Sequence, residues 1–158
     1  MSWFCNRHGT FIMLMVLLLF SPVYLPAQFC LPLNSLRLTS GFGWRKHPVT
    51  GSRDFHYGVD LSAKFEPVYA IIGGRVTSQG FHPVLGNFIR MEHGGFEVVY
   101  GHLSVSIVTQ GQDVQTGECL GLTGDTGRAT GPHLHLSIKF RGYPINPLRF
   151  LLVLANNQ

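Results

Sequence analysis

The chain has 158 residues, with 12 Lys and Arg against 8 Asp and Glu, 8 His, 19 Gly and 9 Pro. One domain suits that length, and 45% apolar residues can build its core. Charged residues reach only 13%, about half the usual ~25%, which excludes a charge-rich disordered chain, a coiled coil and a basic nucleic-acid tail.

The net charge of +4 is scattered. It supports a mild bias toward anionic surfaces such as a cell envelope, and no nucleic-acid partner. The N-terminus reads as an address. Arg7 precedes the apolar run Phe11 to Phe20, and Ser21, Pro22 and Leu25-Pro26-Ala27-Gln28 follow. A positive start, a short apolar stretch and a small exit residue describe a secretory signal peptide. The run falls short of the ~20 residues that a membrane-spanning helix needs. Residues 1–27 are therefore expected to be a signal peptide cleaved after Ala27. Leu25 stands where a small residue belongs, so retention as an N-terminal membrane anchor is the alternative. Residues 28–38 follow as a short linker, with no room for an inhibitory pro-segment. Export would place Cys30 and Cys119 in an oxidising compartment, where they either pair or stay free. Neither belongs to a C-x-x-C pair, which argues against a thiolate zinc site.

Residues 39–154 read as a single β-rich domain. The region 41–60 is expected to be a long loop carrying Trp44, His47, Phe55, His56 and Tyr57. After it, Val68–Ile72, Gly74–Ser78, Asn87–Glu92, Phe96–His102, Cys119–Leu122 and His133–Phe140 are short apolar-rich or alternating runs. Glycine-containing turns separate them. This pattern predicts an all-β antiparallel sandwich or barrel-sandwich-like domain with little helix. Pro147–Leu154 is the one helical stretch, with proline at its start and leucines after it.

Three clusters carry candidate chemistry: His56-Tyr57-Gly58-Val59-Asp60, Tyr100-Gly101-His102-Leu103 and Gly131-Pro132-His133-Leu134-His135. In a strand, residues i and i+2 share a face, so His133 and His135 point the same way. Two imidazoles and a carboxylate would form a zinc site with a position left open for water. From the residues alone, either His133 or His135 could be the strand's ligand. An H-x-H pair also occurs as a plain hydrogen-bonded surface pair, and His102 could be a satisfied core histidine. No H-E-x-x-H occurs, which excludes a helix-based zinc peptidase.

Several motifs occur together in one order. They are Ser40-Gly41-Phe42-Gly43-Trp44-Arg45 with His47-Pro48, His56-x-Gly58-x-Asp60, Pro67-Val68-Tyr69-Ala70 and His93-Gly94. Tyr100-Gly101-His102-Leu103, Gly111-Gln112-x-Val114, Gly124-x-Thr126-Gly127 and Thr130-Gly131-Pro132-His133-Leu134-His135 complete the set. Over about residues 39–150 the chain resembles the M23 family, the lysostaphin/LytM-type zinc endopeptidases that cut peptide bonds in bacterial peptidoglycan. The resemblance implies one zinc ion held by His56, Asp60 and His135 in an open groove. It implies His102 and His133 as the catalytic pair, and substrate contacts at Asn87 and Tyr100. For Tyr100, packing on its own strand is an equal alternative. For Arg45, contact with a stem-peptide carboxylate competes with a solvated loop charge. The expected partner is peptidoglycan, met by a monomer in the periplasm, envelope or outside the cell. Any membrane contact would come through an uncleaved N-terminus.

The chain departs from the family at Lys64-Phe65-Glu66, where a small turn is usual, and at Ser137, where an acid is common. Other readings are a catalytically silent family relative that regulates wall hydrolases, a biotinyl/lipoyl-type carrier and a cupin-like metal barrel. The candidate metal and catalytic residues are all present, no carrier lysine sits in a suitable turn, and the further cupin ligands are missing.

Overall fold

The structure is a computed structural model that describes residues 29–46 and 51–156. The expected signal peptide and His47 lie outside the described residues. In chain order the elements are β1 (Leu38–Ser40), β2 (Gly43–Lys46), β3 (Arg53–His56), β4 (Gly58–Ser62), β5 (Pro67–Tyr69) and β6 (Gly74–His82). They continue with β7 (Gly86–His93), β8 (Phe96–Ser106), β9 (Asp113–Val114), β10 (Cys119–Thr123), β11 (His133–Phe140), β12 (Tyr143–Ile145) and α1 (Pro147–Ala155). Helix α1 starts as its sequence suggests. The Asn146 side chain accepts from the Leu148 and Arg149 N–H groups, and Pro147 needs no partner at the first turn.

The main sheet runs β1-β4-β11-β8-β7-β6-β9, with β10 pairing β5 and β8, and β12 pairing β11. Its pairings are antiparallel. The sheet does not close into a barrel. The all-β expectation therefore holds in its open, antiparallel form. Strand β11 shows why: Leu134, Leu136 and Ile138 are fully buried, while His133, His135 and Ser137 alternate on the other face. Val59 and Leu61 of β4, Val98 and Tyr100 of β8, and Ile89 and Met91 of β7 join the same core. The polar face of β11 is left to form a groove floor.

Two sequence expectations are corrected. The described parts of the region 41–60 are mostly strand. Strands β2 and β3 form a separate antiparallel hairpin, and β4 enters the main sheet. The hairpin escapes pattern reading because it is held by edge-on aromatic contacts rather than by a buried alternating face. Phe42 and Trp44 each meet the Phe55 ring edge-on, at 5.2 and 5.5 Å between centroids. Nor do residues 29–36 behave as a linker. Phe29 and Leu33 are buried in the core, and backbone bonds tie Cys30 N–H to Ile71 O and Tyr69 N–H to Pro32 O, both 3.0 Å. Burial there takes both apolar side chains out of water. Cys30 and Cys119 are both free thiols.

Candidate metal centre and its groove

One cross-strand row builds the centre of the site. Asp60 of β4 pairs with His135 of β11, which pairs with Gly101 of β8. His56, at the end of β3, swings in from the hairpin side. Its Nδ1–H donates to Gly41 O at 2.9 Å, which leaves Nε2 facing Asp60 and His135. His135 Nδ1 lies 2.9 Å from Asp60 Oδ1 and 3.2 Å from His56 Nε2. The three residues offer ligand atoms that lie within 4.8 Å of one another. Burial pulls the Asp60 carboxyl upward, but hydrogen bonds and charge from His135 and His56 outweigh it. They hold the group well below the usual carboxylate range. The donor set is thus one ionised carboxylate and two imidazoles, that of His56 oriented by the Gly41 carbonyl. That fits a four-coordinate zinc with an open position.

Two more histidines stand beside this cluster. The rings of His102 and His133 are 4.5 Å apart, and His102 lies 5.9 Å from the ring of His135. His133 Nδ1–H donates to Gly131 O at 2.7 Å, and His102 Nδ1–H donates to Thr126 O at 2.8 Å. A carbonyl only accepts, so both rings carry the Nδ1 proton when neutral and keep an Nε2 lone pair free. Burial pushes the His102 imidazole below its ordinary value, against the opposing pull of the Thr126 carbonyl. His133 is therefore placed one step behind His135: its Nε2 is 3.8 Å from Asp60 Oδ1.

A bulge brings His102 into the groove. Between the pairs Asn87–Leu103 and Ile89–Tyr100, strand β8 has one residue more than β7. His102 takes a left-handed φ of 59°, and its N–H bonds to Leu85 O at 2.6 Å. Such a φ in a non-glycine residue costs about 1–2 kcal/mol. Without the bulge, Tyr100 and His102 would share a face.

The same bulge places the two expected substrate residues, Tyr100 and Asn87, away from the cluster. Tyr100 stays on the core side, fully buried, and its hydroxyl accepts from Ile71 N–H at 2.9 Å. Burial raises the hydroxyl's pKa. Asn87 turns its amide to the bulge, where Nδ2 donates to Leu103 O at 3.1 Å. Neither residue lines the groove. His82 accepts from the N–H groups of Val84 and Leu85, bracing its own turn.

Sequence reasoning passed over Thr126 as a working residue. Its hydroxyl donates to Leu103 O at 2.8 Å and accepts from Asn87 N–H at 2.9 Å, while its carbonyl holds His102. The signal was the Gly124-x-Thr126-Gly127 motif, which counted toward the family resemblance without a role for Thr126. Arg45 is not a solvated loop charge. Its Nη1 donates to Ser40 Oγ and lies 3.8 Å from Asp60 Oδ2.

The cluster opens on both sides. A groove of about 660 Å³ extends over β11, β8 and the hairpin, and a second of about 700 Å³ extends past β1 and residues 130–132. Arg45, Asp60 and His133 line both. An extended chain could therefore pass across the cluster.

The family model described as Peptidase family M23 matches residues 54–147. The chain belongs to this family. Among its M23 relatives is the DD-carboxypeptidase/endopeptidase Mpg of Neisseria meningitidis serogroup B, 40% identical over 123 residues, which are 77% of this chain and 28% of Mpg. The solved structure described as a zinc-containing peptidase from Vibrio cholerae superposes with a TM-score of 0.70 and 38% identity, over 77% of this chain and 39% of that one. The catalytic domain of lysostaphin from Staphylococcus simulans gives 0.67 and 30%, over 74% of this chain and 92% of that domain. The chain spans under a third of the length of curated M23 relatives such as Mpg.

Proposed function

We propose that the chain is an exported zinc metalloendopeptidase that hydrolyses peptide bonds in peptidoglycan stem peptides or cross-bridges. The observation that carries this is the convergence of His56, Asp60 and His135 in an open-ended groove, with His102 and His133 beside them. The names of Mpg and of the peptidoglycan DD-endopeptidase ShyA of Vibrio cholerae, 39% identical over 124 residues, support the choice of substrate.

In this reading His56, Asp60 and His135 hold the zinc, which supplies Lewis acidity and an activated water near neutral pH. His102 and His133 serve the proton movements. A neutral imidazole with a free Nε2 takes a proton from the attacking water, and the proton later passes to the leaving amine. The other ring, through an N–H or as imidazolium, stabilises charge on the carbonyl oxygen as the carbon becomes tetrahedral. Carbonyl bonds at each Nδ1 keep both rings from rotating away. The groove on either side of the cluster orients an extended peptide.

The test is a digest of purified peptidoglycan with the zinc-loaded full-length chain, read by mass spectrometry of released fragments. New peptide termini should appear, and should vanish with a chelator and with His102→Ala. Intact peptidoglycan from several wall chemistries, with zinc demonstrably bound, would overturn the proposal.

A further inference from the structure

Arg45 sits where the two grooves meet, on the hairpin side of Asp60, and lines both of them. Its side chain keeps 27% of its surface exposed, so it is partly desolvated yet reachable. Its Nε is buried without a hydrogen-bond partner among the described residues. Asp60 is its carboxylate neighbour, but at 3.8 Å the pair is longer than a hydrogen bond. Asp60 is also engaged by His135 and His56. Of the groove cations, Lys139 pairs with Glu97 at 2.9 Å, and Arg90, whose Nε is likewise buried without a partner, lies 3.7 Å from Glu97; what sets Arg45 apart is its place against Asp60 of the metal cluster. A divalent ion on Asp60 would take up that carboxylate's charge and leave Arg45 without a counter-ion. An arginine fork in that position calls for an oxyanion, and a carboxylate matches it in shape.

The reach is short. In a peptide, the carboxylate carbon of the amine-side residue is two covalent bonds of about 1.5 Å from the scissile nitrogen. A peptide bond lying over the His56–Asp60–His135 cluster would bring that group beside Asp60, where Arg45 already stands.

We propose that Arg45 is a specificity residue that binds a free carboxylate on the carbon adjacent to the scissile nitrogen. This rests on the hydrolase reading above. The preferred substrates are peptide cross-links whose scissile nitrogen is bonded to a carbon that carries a free carboxylate. Water adds to the carbonyl carbon, the C–N bond breaks, and the products are a carboxylate and an amine that has gained a proton. A polyglycine bridge or an amide at that carbon lacks the anion.

The experiment compares two cross-linked muropeptide dimers with the zinc-loaded full-length chain. One carries the free carboxylate beside the scissile nitrogen, and in the other that group is amidated. Wild type should favour the free acid by about 10- to 100-fold in kcat/KM, the size expected for a charge-assisted hydrogen bond. The ratio should fall toward one in Arg45→Met and lie between in Arg45→Lys. Equal rates on the two dimers in wild type, or a wild-type ratio persisting in Arg45→Met, would overturn the subsite alone. The dimer comparison in wild type holds even if a variant fails to fold. No hydrolysis of either dimer or of intact peptidoglycan by wild type would refute the hydrolase reading, and the subsite with it.

Discussion

Replacing Gly58 with alanine should damage the metal centre without touching a ligand. Gly58 is on β4, beside His135. A Cβ there would stand 2.6 Å from Leu136 O and 2.7 and 2.8 Å from Cε1 and Nε2 of the His135 ring. The carbonyl belongs to the β4–β11 ladder, where Gly58 faces Ser137 and Val59 faces Leu136, so it has little freedom to retreat. The imidazole must move instead, and its Nδ1 leaves the 2.9 Å position on Asp60. Overpacking of this kind costs about 1–3 kcal/mol. At about 4 °C per kcal/mol, the metal-free Tm should fall by about 4–12 °C. Zinc affinity, measured by competition with a chromophoric chelator, should drop about 10- to 100-fold, as when a ligand's supporting contacts are disturbed. Gly101 flanks His135 on the other side, but its Cβ would meet Leu85 O at 3.3 Å and His135 Cβ at 3.4 Å. Gly101→Ala should therefore cost less on both readouts. Gly58→Ala with wild-type affinity and an unchanged Tm would refute the steric argument.

Tyr100→Phe removes the acceptor of the Ile71 N–H inside the core. It should cost about 1–3 kcal/mol in denaturant unfolding while kcat/KM stays near wild type; a large kcat/KM loss would return Tyr100 to the substrate. Thr126→Val strips partners from Asn87 N–H and Leu103 O and loosens the carbonyl that holds His102. The expected result is a fall in kcat of about tenfold or more with zinc still bound, because catalytic proton transfer depends on this geometry; Thr126→Ser should recover most of it. The folded pKa of His102 is lowered, so the unfolded chain binds more protons at this position once pH falls below about 6.5. Stability from this group is present above that value and is lost as pH falls toward the folded pKa. Metal-free thermal melts should therefore show a loss on acidification that is smaller in His102→Asn, a substitution that tolerates the left-handed φ.

The chemistry of the site was legible in the chain because it depends on residue types at short spacings. His133 and His135 alternate with buried leucines, and a period of two puts both histidines on one face. His56 and Asp60 share a similarly compact motif. The β-rich class was readable from turns and alternating runs, and helix α1 from Pro147 and the leucines behind it. The hairpin β2–β3 was not readable, since aromatic edges rather than an alternating buried face hold it. The segment 29–36 looked like a linker because burial of Phe29 and Leu33 depends on surfaces built by residues far along the chain.

Position relative to the groove was a tertiary decision. Tyr100 and His102 are two apart in sequence, and a regular strand would send them the same way. A single extra residue in β8, set by pairing with β7, buries one and exposes the other to the metal cluster. Arg45 likewise gains its meaning from folding, which carries the hairpin to Asp60. Sequence by itself determined which chemical groups this protein owns and the local faces they occupy. Only the tertiary structure decided which of them meet, because bulges and long-range pairing act through strands that the local pattern does not know.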